Sequence, residues 1–134
     1  MEPIIKGVWV EGQRIRLTHP AGDSITTDGP PEFGGGRGFS PTDLIAAALG
    51  ACSLSVAVIV GQRLGHEMAG TCMESTRKLT SGPLRISEIQ LVLHLSRAIP
   101  DGDRTKLQQA TQHCPVHESL GAEIAVHFDF QYDL

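Results

Sequence analysis

The sequence predicts an α+β protein on three observations: short β-type stretches ahead of a glycine-rich loop, one long apolar helix opened by a well-formed cap, and alternating strands that close the chain. Its 134 residues fit a single domain spanning 1–134, since domains commonly run to about 100–150 residues. With 40% hydrophobic and 19% charged residues and a net charge of -4, a core can form under a mildly acidic surface, which argues against a nucleic-acid partner. Aromatic residues make up only 4%, too few for a carbohydrate or base-stacking module. Three cysteines are too scattered for a secreted disulfide framework, and Met1-Glu2-Pro3 lacks the basic and apolar regions of a signal peptide. The expected setting is the cytoplasm.

Ile4 to Val10 and Arg14 to His19 read as a hairpin turning at Glu11-Gly12-Gln13, and Ser24 to Thr27 as a short third strand. Asp28 to Gly38, with three consecutive glycines and two prolines, reads as a loop that delivers Arg37 toward the next helix. Ser40 is suited to cap that helix, Pro41 to its first position, and Asp43 to the third, where a carboxylate favours the N-terminus. The helix is predicted from Pro41 to Leu64, ending at Gly65. Leu44 to Val60 carries no charge, but it is shorter than the roughly 20 residues a bilayer span needs, so a buried helix is expected and no membrane partner. Apolar residues surround its whole axis, so it must be covered on several sides. A chain this short has few elements to cover it, and a homodimer burying this helix is predicted.

Met68 to Leu79 and Leu84 to Ile99 read as two long strands around Thr80-Ser81-Gly82-Pro83. A second helix is expected from Asp101 to Gln112, and a short helical piece from Pro115 to Leu120. Ile124, Val126, Phe128, Phe130 and Tyr132 alternate with polar residues or alanine, the pattern of a half-buried strand.

Two cysteines draw attention. Cys52 lies about three turns into the apolar helix, too far from the N-terminus to gain much from it, and a cysteine among Ala, Leu and Val commonly acts as a small core residue. Cys114, followed by Pro115, Val116 and His117, sits at an expected helix N-cap, where unpaired amides favour a thiolate; His113 and His117 flank it. Cys72 reads as structural, in mid-strand. A zinc site from Cys114, His113 and His117, with Cys52 as a fourth ligand, is an alternative because Cys-x-x-His spacing suits the metal, although adjacent His113 and Cys114 are awkward joint ligands.

The segments Ser40-Pro41-Thr42-Asp43-Leu44-Ile45-Ala46-Ala47-Ala48-Leu49-Gly50-Ala51-Cys52 and Cys114-Pro115-Val116-His117 together resemble the two signature regions of the OsmC/Ohr family of organic hydroperoxide reductases and osmotically inducible proteins. The resemblance implies an intertwined homodimer, its antiparallel sheets wrapped around long central helices that carry the first cysteine. It implies a cysteine-based thiol peroxidase without a cofactor or metal, acting on a peroxide substrate and recycled by an external dithiol. Cys52 becomes the peroxidatic thiolate and Cys114 its disulfide partner. The family activates the first cysteine with an arginine held by a carboxylate; Arg37 is the first choice, with Arg14 and Arg16 as alternatives on the second strand. Thr42 stands where the hydroperoxide reductases carry glutamate, so Asp43 is expected to hold the arginine, unless it only completes the cap. This departure points to an OsmC-like branch, and it leaves open a non-enzymatic dimer that binds a small apolar ligand.

Overall fold

The computed structural model describes residues 2–134. The chain falls into two compact units, Met1–Ile45 and Ala46–Leu134. In the first, β1 (Lys6–Glu11), β2 (Arg14–Thr18) and β3 (Ser24–Thr27) form an antiparallel sheet in that order. Trp9 lies opposite Ile15, and Leu17 opposite Ile25. Cross-strand partners share a face, so these four side chains form one apolar surface. The following loop closes over Asp28 and ends in the capping box: Asp43 N–H donates to Ser40 Oγ at 3.1 Å, and Asp43 Oδ2 accepts from Ser40 N–H at 2.9 Å.

That cap starts α1 (Pro41–Arg63), which ends where Gly65 takes a φ of 88° and His66 N–H reaches back to the Gly61 carbonyl at 2.9 Å. In the second unit, β4 (Cys72–Thr80), β5 (Arg85–His94) and β6 (Ala125–Gln131) form one sheet with β5 central. α2 (Asp101–Thr111) and α3 (Pro115–Ser119) lie between β5 and β6 in sequence. They return the chain to the starting end of β5, so β6 pairs parallel to β5 and this sheet is mixed, not purely antiparallel. Both long strands are shorter than predicted. Met68 to Thr71 turns through Gly70 at a φ of 86°, and Ser96 to Ile99 turns after β5, yet Met68, Leu95 and Ile99 stay buried in the core.

α1 is long and apolar enough, by length and composition, to cross a membrane. In this fold it carries a buried stripe of Ala46, Gly50, Ser53, Ala57 and Gly61, together with Leu49. Small residues let the helix approach its sheet closely: a Cβ on Gly50 would meet Met73 at 2.6 Å, and Ser75 Oγ–H donates to the Ala46 carbonyl at 2.9 Å. Ile89, Leu91, Leu93 and Leu95 supply the facing core. The bulkier Ile45 and Ile59 lie on the other side, 40% and 47% exposed. The side turned to the chain's own core therefore carries the smaller residues, the reverse of an ordinary amphipathic helix.

Because this face has no spare volume, Ala57→Leu is expected to lower unfolding stability by about 1–3 kcal/mol, the usual consequence of overpacking. Urea denaturation followed by circular dichroism reads the shift in midpoint, and Ile59→Leu serves as the control that leaves core packing alone.

Candidate active site

Two neighbouring residues of α1 face the start of α3. Cys114 caps α3 from extended backbone (φ -70°, ψ 154°), with Pro115 at the first helical position. Its Sγ is fully buried and accepts from His117 N–H at 3.4 Å. Ser53, also fully buried, places its Oγ 3.4 Å from the same sulfur. Cys52 is half-buried. Burial pushes its thiol above the ordinary cysteine range; the Val116 N–H pulls it down, while a hydrogen bond to the Cys114 thiol and the charge on that group push it up again. The second unit thus brings Cys52 and Cys114 side by side as free thiols.

The flanking histidines are engaged elsewhere. His113 pairs with Glu118 at 2.9 Å, and His117 Nδ1–H donates to the Gln112 carbonyl at 2.5 Å while its ring meets the edge of Phe128. Among the described residues no group of three or more His, Cys, Asp or Glu side chains is placed to hold a metal ion, which removes the geometric basis of the Cys/His zinc alternative. Cys72 opens β4 rather than standing in mid-strand; it is exposed and lies opposite His94.

Arg37 and Asp43 belong to the first unit. The carboxylate beside Arg37 is Asp28, the first residue of the glycine-rich loop, and not Asp43. Arg37 Nε–H donates to Asp28 Oδ2 at 3.2 Å, the Arg37 backbone N–H reaches the same oxygen at 3.2 Å, and Gly29 N–H donates to Oδ1 at 2.8 Å. The glycine run serves this contact directly: a Cβ on Gly35 would meet Asp28 Oδ2 at 2.7 Å, and Gly36 adopts a φ of 64°. Glu11 lies 3.7 Å from the same guanidinium. Asp43 occupies the capping box described above. On β2, Arg14 has Glu11 at 3.7 Å from one terminal nitrogen, but its buried Nε has no hydrogen-bond partner among the described residues; Arg16 is exposed.

Two residues, one in each unit, went unread in the sequence. Asp28 carries only a weak signal, an acid followed by glycine, because its partner is fixed by how the loop closes. Ser53 had a visible one: a hydroxyl directly after the first cysteine, in a helix face otherwise built of Ala, Gly and Leu.

Fold and site together define a protein with a facing pair of thiols, one carried by a long apolar helix and the other by the cap of a short one. The chain belongs to the OsmC-like protein family, whose model matches residues 34–129. A protein of Psychrobacter arcticus 273-4 assigned to osmotic stress induction and detoxification response has a similar structure, with a TM-score of 0.89 and 27% identity over 95% of this chain and 94% of that one. The organic hydroperoxide resistance protein OsmC of Legionella pneumophila superposes with a TM-score of 0.79 at 19% identity, covering 98% and 97% of the two chains. OhrB of Bacillus subtilis, also an organic hydroperoxide resistance protein, gives 0.72 at 17% identity, covering 98% of both chains. These last two likenesses concern the fold alone. No curated protein sequence matches the chain.

Burial pushes the Asp28 carboxyl up, but the Gly29 N–H and the Arg37 side chain and backbone outweigh it, so the group sits below the usual aspartate range. Between its folded and unfolded values the unfolded state binds more protons, so this stabilisation is present above the unfolded value and lost as pH falls through the folded one. Acid titration of unfolding stability is expected to be shallower in Asp28→Asn than in wild type below about pH 4, the unfolded aspartate value; equal slopes would mean that the Arg37 contact is not maintained in solution.

Proposed function

We propose that the protein is a cytoplasmic, homodimeric thiol peroxidase that reduces organic hydroperoxides or hydrogen peroxide. One observation carries this reading: the Cys52 and Cys114 thiols lie side by side and interact with each other. The Cys52 thiolate attacks the outer peroxide oxygen, the O–O bond breaks, the leaving oxygen takes a proton to become alcohol or water, and the sulfur becomes a sulfenic acid. Cys114 then displaces the sulfenic oxygen as water and forms the disulfide. An external dithiol returns two electrons and two protons. Relatives of similar fold named for organic hydroperoxide resistance, and one assigned to osmotic stress and detoxification, support a peroxide-related or stress-related role.

The upward push on Cys52 calls for a cation. Arg37, fixed by Asp28, is the candidate, since a guanidinium stays charged and can both stabilise thiolate and polarise a peroxide. Arg14, whose buried Nε has no hydrogen-bond partner among the described residues, is the alternative. The homodimer is supported by exposed apolar side chains in each unit, Ile45 and Trp9 in the first and Ile59 in the second; a second copy would cover them. Thr42 and the upward shift of Cys52 favour a second reading, a non-enzymatic dimer that binds a small apolar ligand.

One equivalent of cumene hydroperoxide should consume two thiols per chain, and Cys52→Ser should abolish the loss; unchanged thiols would favour the binding reading. Arg37→Ala is expected to move the Cys52 titration to higher pH and slow the peroxide reaction roughly a hundredfold, the scale of losing one preorganised donor. The same effect in Arg14→Ala alone would transfer the role. Light scattering should give twice the chain mass, and Ile59→Glu should weaken that association.

A further inference from the structure

A hydroxyl withdrawn from water is costly unless it finds a partner. Ser53 is fully buried. In helices a serine commonly bonds back to the carbonyl four residues earlier, but among the described residues the hydrogen-bond partner of Ser53 Oγ is the sulfur of Cys114, at 3.4 Å. Cys114 Sγ in turn accepts from His117 N–H at 3.4 Å. The sulfur is therefore held between a side chain of α1 and the backbone of α3, with Cys52 beside it.

We propose that Ser53 is a positioning residue for the Cys52–Cys114 couple, holding the Cys114 sulfur in its reduced place and weighting the couple toward the dithiol. The inference rests on the reading that these cysteines form a disulfide. When the sulfur–sulfur bond forms, each thiol gives up a proton and an electron to the oxidant. The Cys114 sulfur then has no proton to donate and accepts only weakly. The Ser53 hydroxyl loses its partner at a site closed to water, a loss that falls on the disulfide form alone. Ser53 thus makes the disulfide easier to reduce.

The test is the equilibrium with oxidised and reduced dithiothreitol, in which the reagent's disulfide takes up the two protons and two electrons of the protein dithiol. A Cys72→Ser background leaves one titrating pair. Ser53→Ala is expected to shift the exchange constant toward the protein disulfide by about three- to tenfold, the range of one hydrogen bond, and Ser53→Thr, which keeps the hydroxyl, to restore it within about twofold. An unchanged constant in folded Ser53→Ala overturns the inference. A Ser53→Thr constant equal to that of Ser53→Ala also overturns it, because packing rather than the hydroxyl would then be responsible. Should Ser53→Ala fail to fold, Ser53→Val is compared with the similarly shaped Ser53→Thr: a constant shifted toward the protein disulfide in Ser53→Val alone supports the role, and equal constants overturn it. No peroxide is used, so a wild-type protein that exchanges normally but ignores hydroperoxide removes the peroxidase reading and leaves the Ser53 result standing. A wild-type protein with no Cys52–Cys114 disulfide at any ratio removes both.

Discussion

The close approach of α1 to its own sheet is the constraint from which the second unit follows. Gly50, Ser53, Ala57 and Gly61 leave no room for larger side chains, and Met73, Met68 and the β5 leucines fill the space against them. The helix is thereby set in rotation about its axis. One consequence is that Cys52 and Ser53 both address Cys114, from adjacent positions on the helix. Another is that larger side chains such as Ile59 are turned away from the core. The same packing that places the thiol leaves apolar side chains exposed on the opposite side of the helix.

Electrostatics divide differently from packing. In the second unit the sulfur pair is hydrogen-bonded by neutral groups, the amides of Val116 and His117 and the hydroxyl of Ser53, and burial dominates the Cys52 thiol. The first unit holds a charged assembly of another kind, a buried aspartate fixing an arginine through two nitrogens and closed by glycines. A carboxylate accepting several N–H donors stays ionised, and an arginine held at its Nε by such a group keeps its terminal nitrogens in a fixed direction. The carboxylate that holds Arg37 is Asp28, while Asp43 completes the helix cap.

Local chemistry was legible where it depends on neighbours in sequence. The Ser40-Pro41-x-Asp43 cap, the Gly65 stop, the alternation from Ile124 to Tyr132 and the third strand at Ser24–Thr27 all follow from residues within a turn or two of one another. The parallel pairing of β6 was not, because strand direction depends on where two intervening helices deliver the chain. The ends of β4 and β5 moved inward since Leu95 and Ile99 keep an apolar pattern in a turn, and apolar pattern alone does not separate core turn from core strand. At the site, Cys114 stood out from its helix cap, but Cys52 read by itself as a core residue, and both its role and the pairing came from the resemblance; no spacing brings residues of α1 and α3 together. Asp28 was missed because its partner is chosen by loop closure, and Ser53 because a lone serine in an apolar helix usually turns to its own backbone.

The central claim is that the two sulfurs are poised to bridge once the first is oxidised. Peptide mapping by mass spectrometry, under non-reducing conditions after exposure to one equivalent of an alkyl hydroperoxide, addresses it most directly. The account predicts a peptide holding Cys52 joined to one holding Cys114, with Cys72 recovered as a free thiol. Recovery of Cys52 as sulfinic acid beside an untouched Cys114, or of both thiols unchanged, would contradict it.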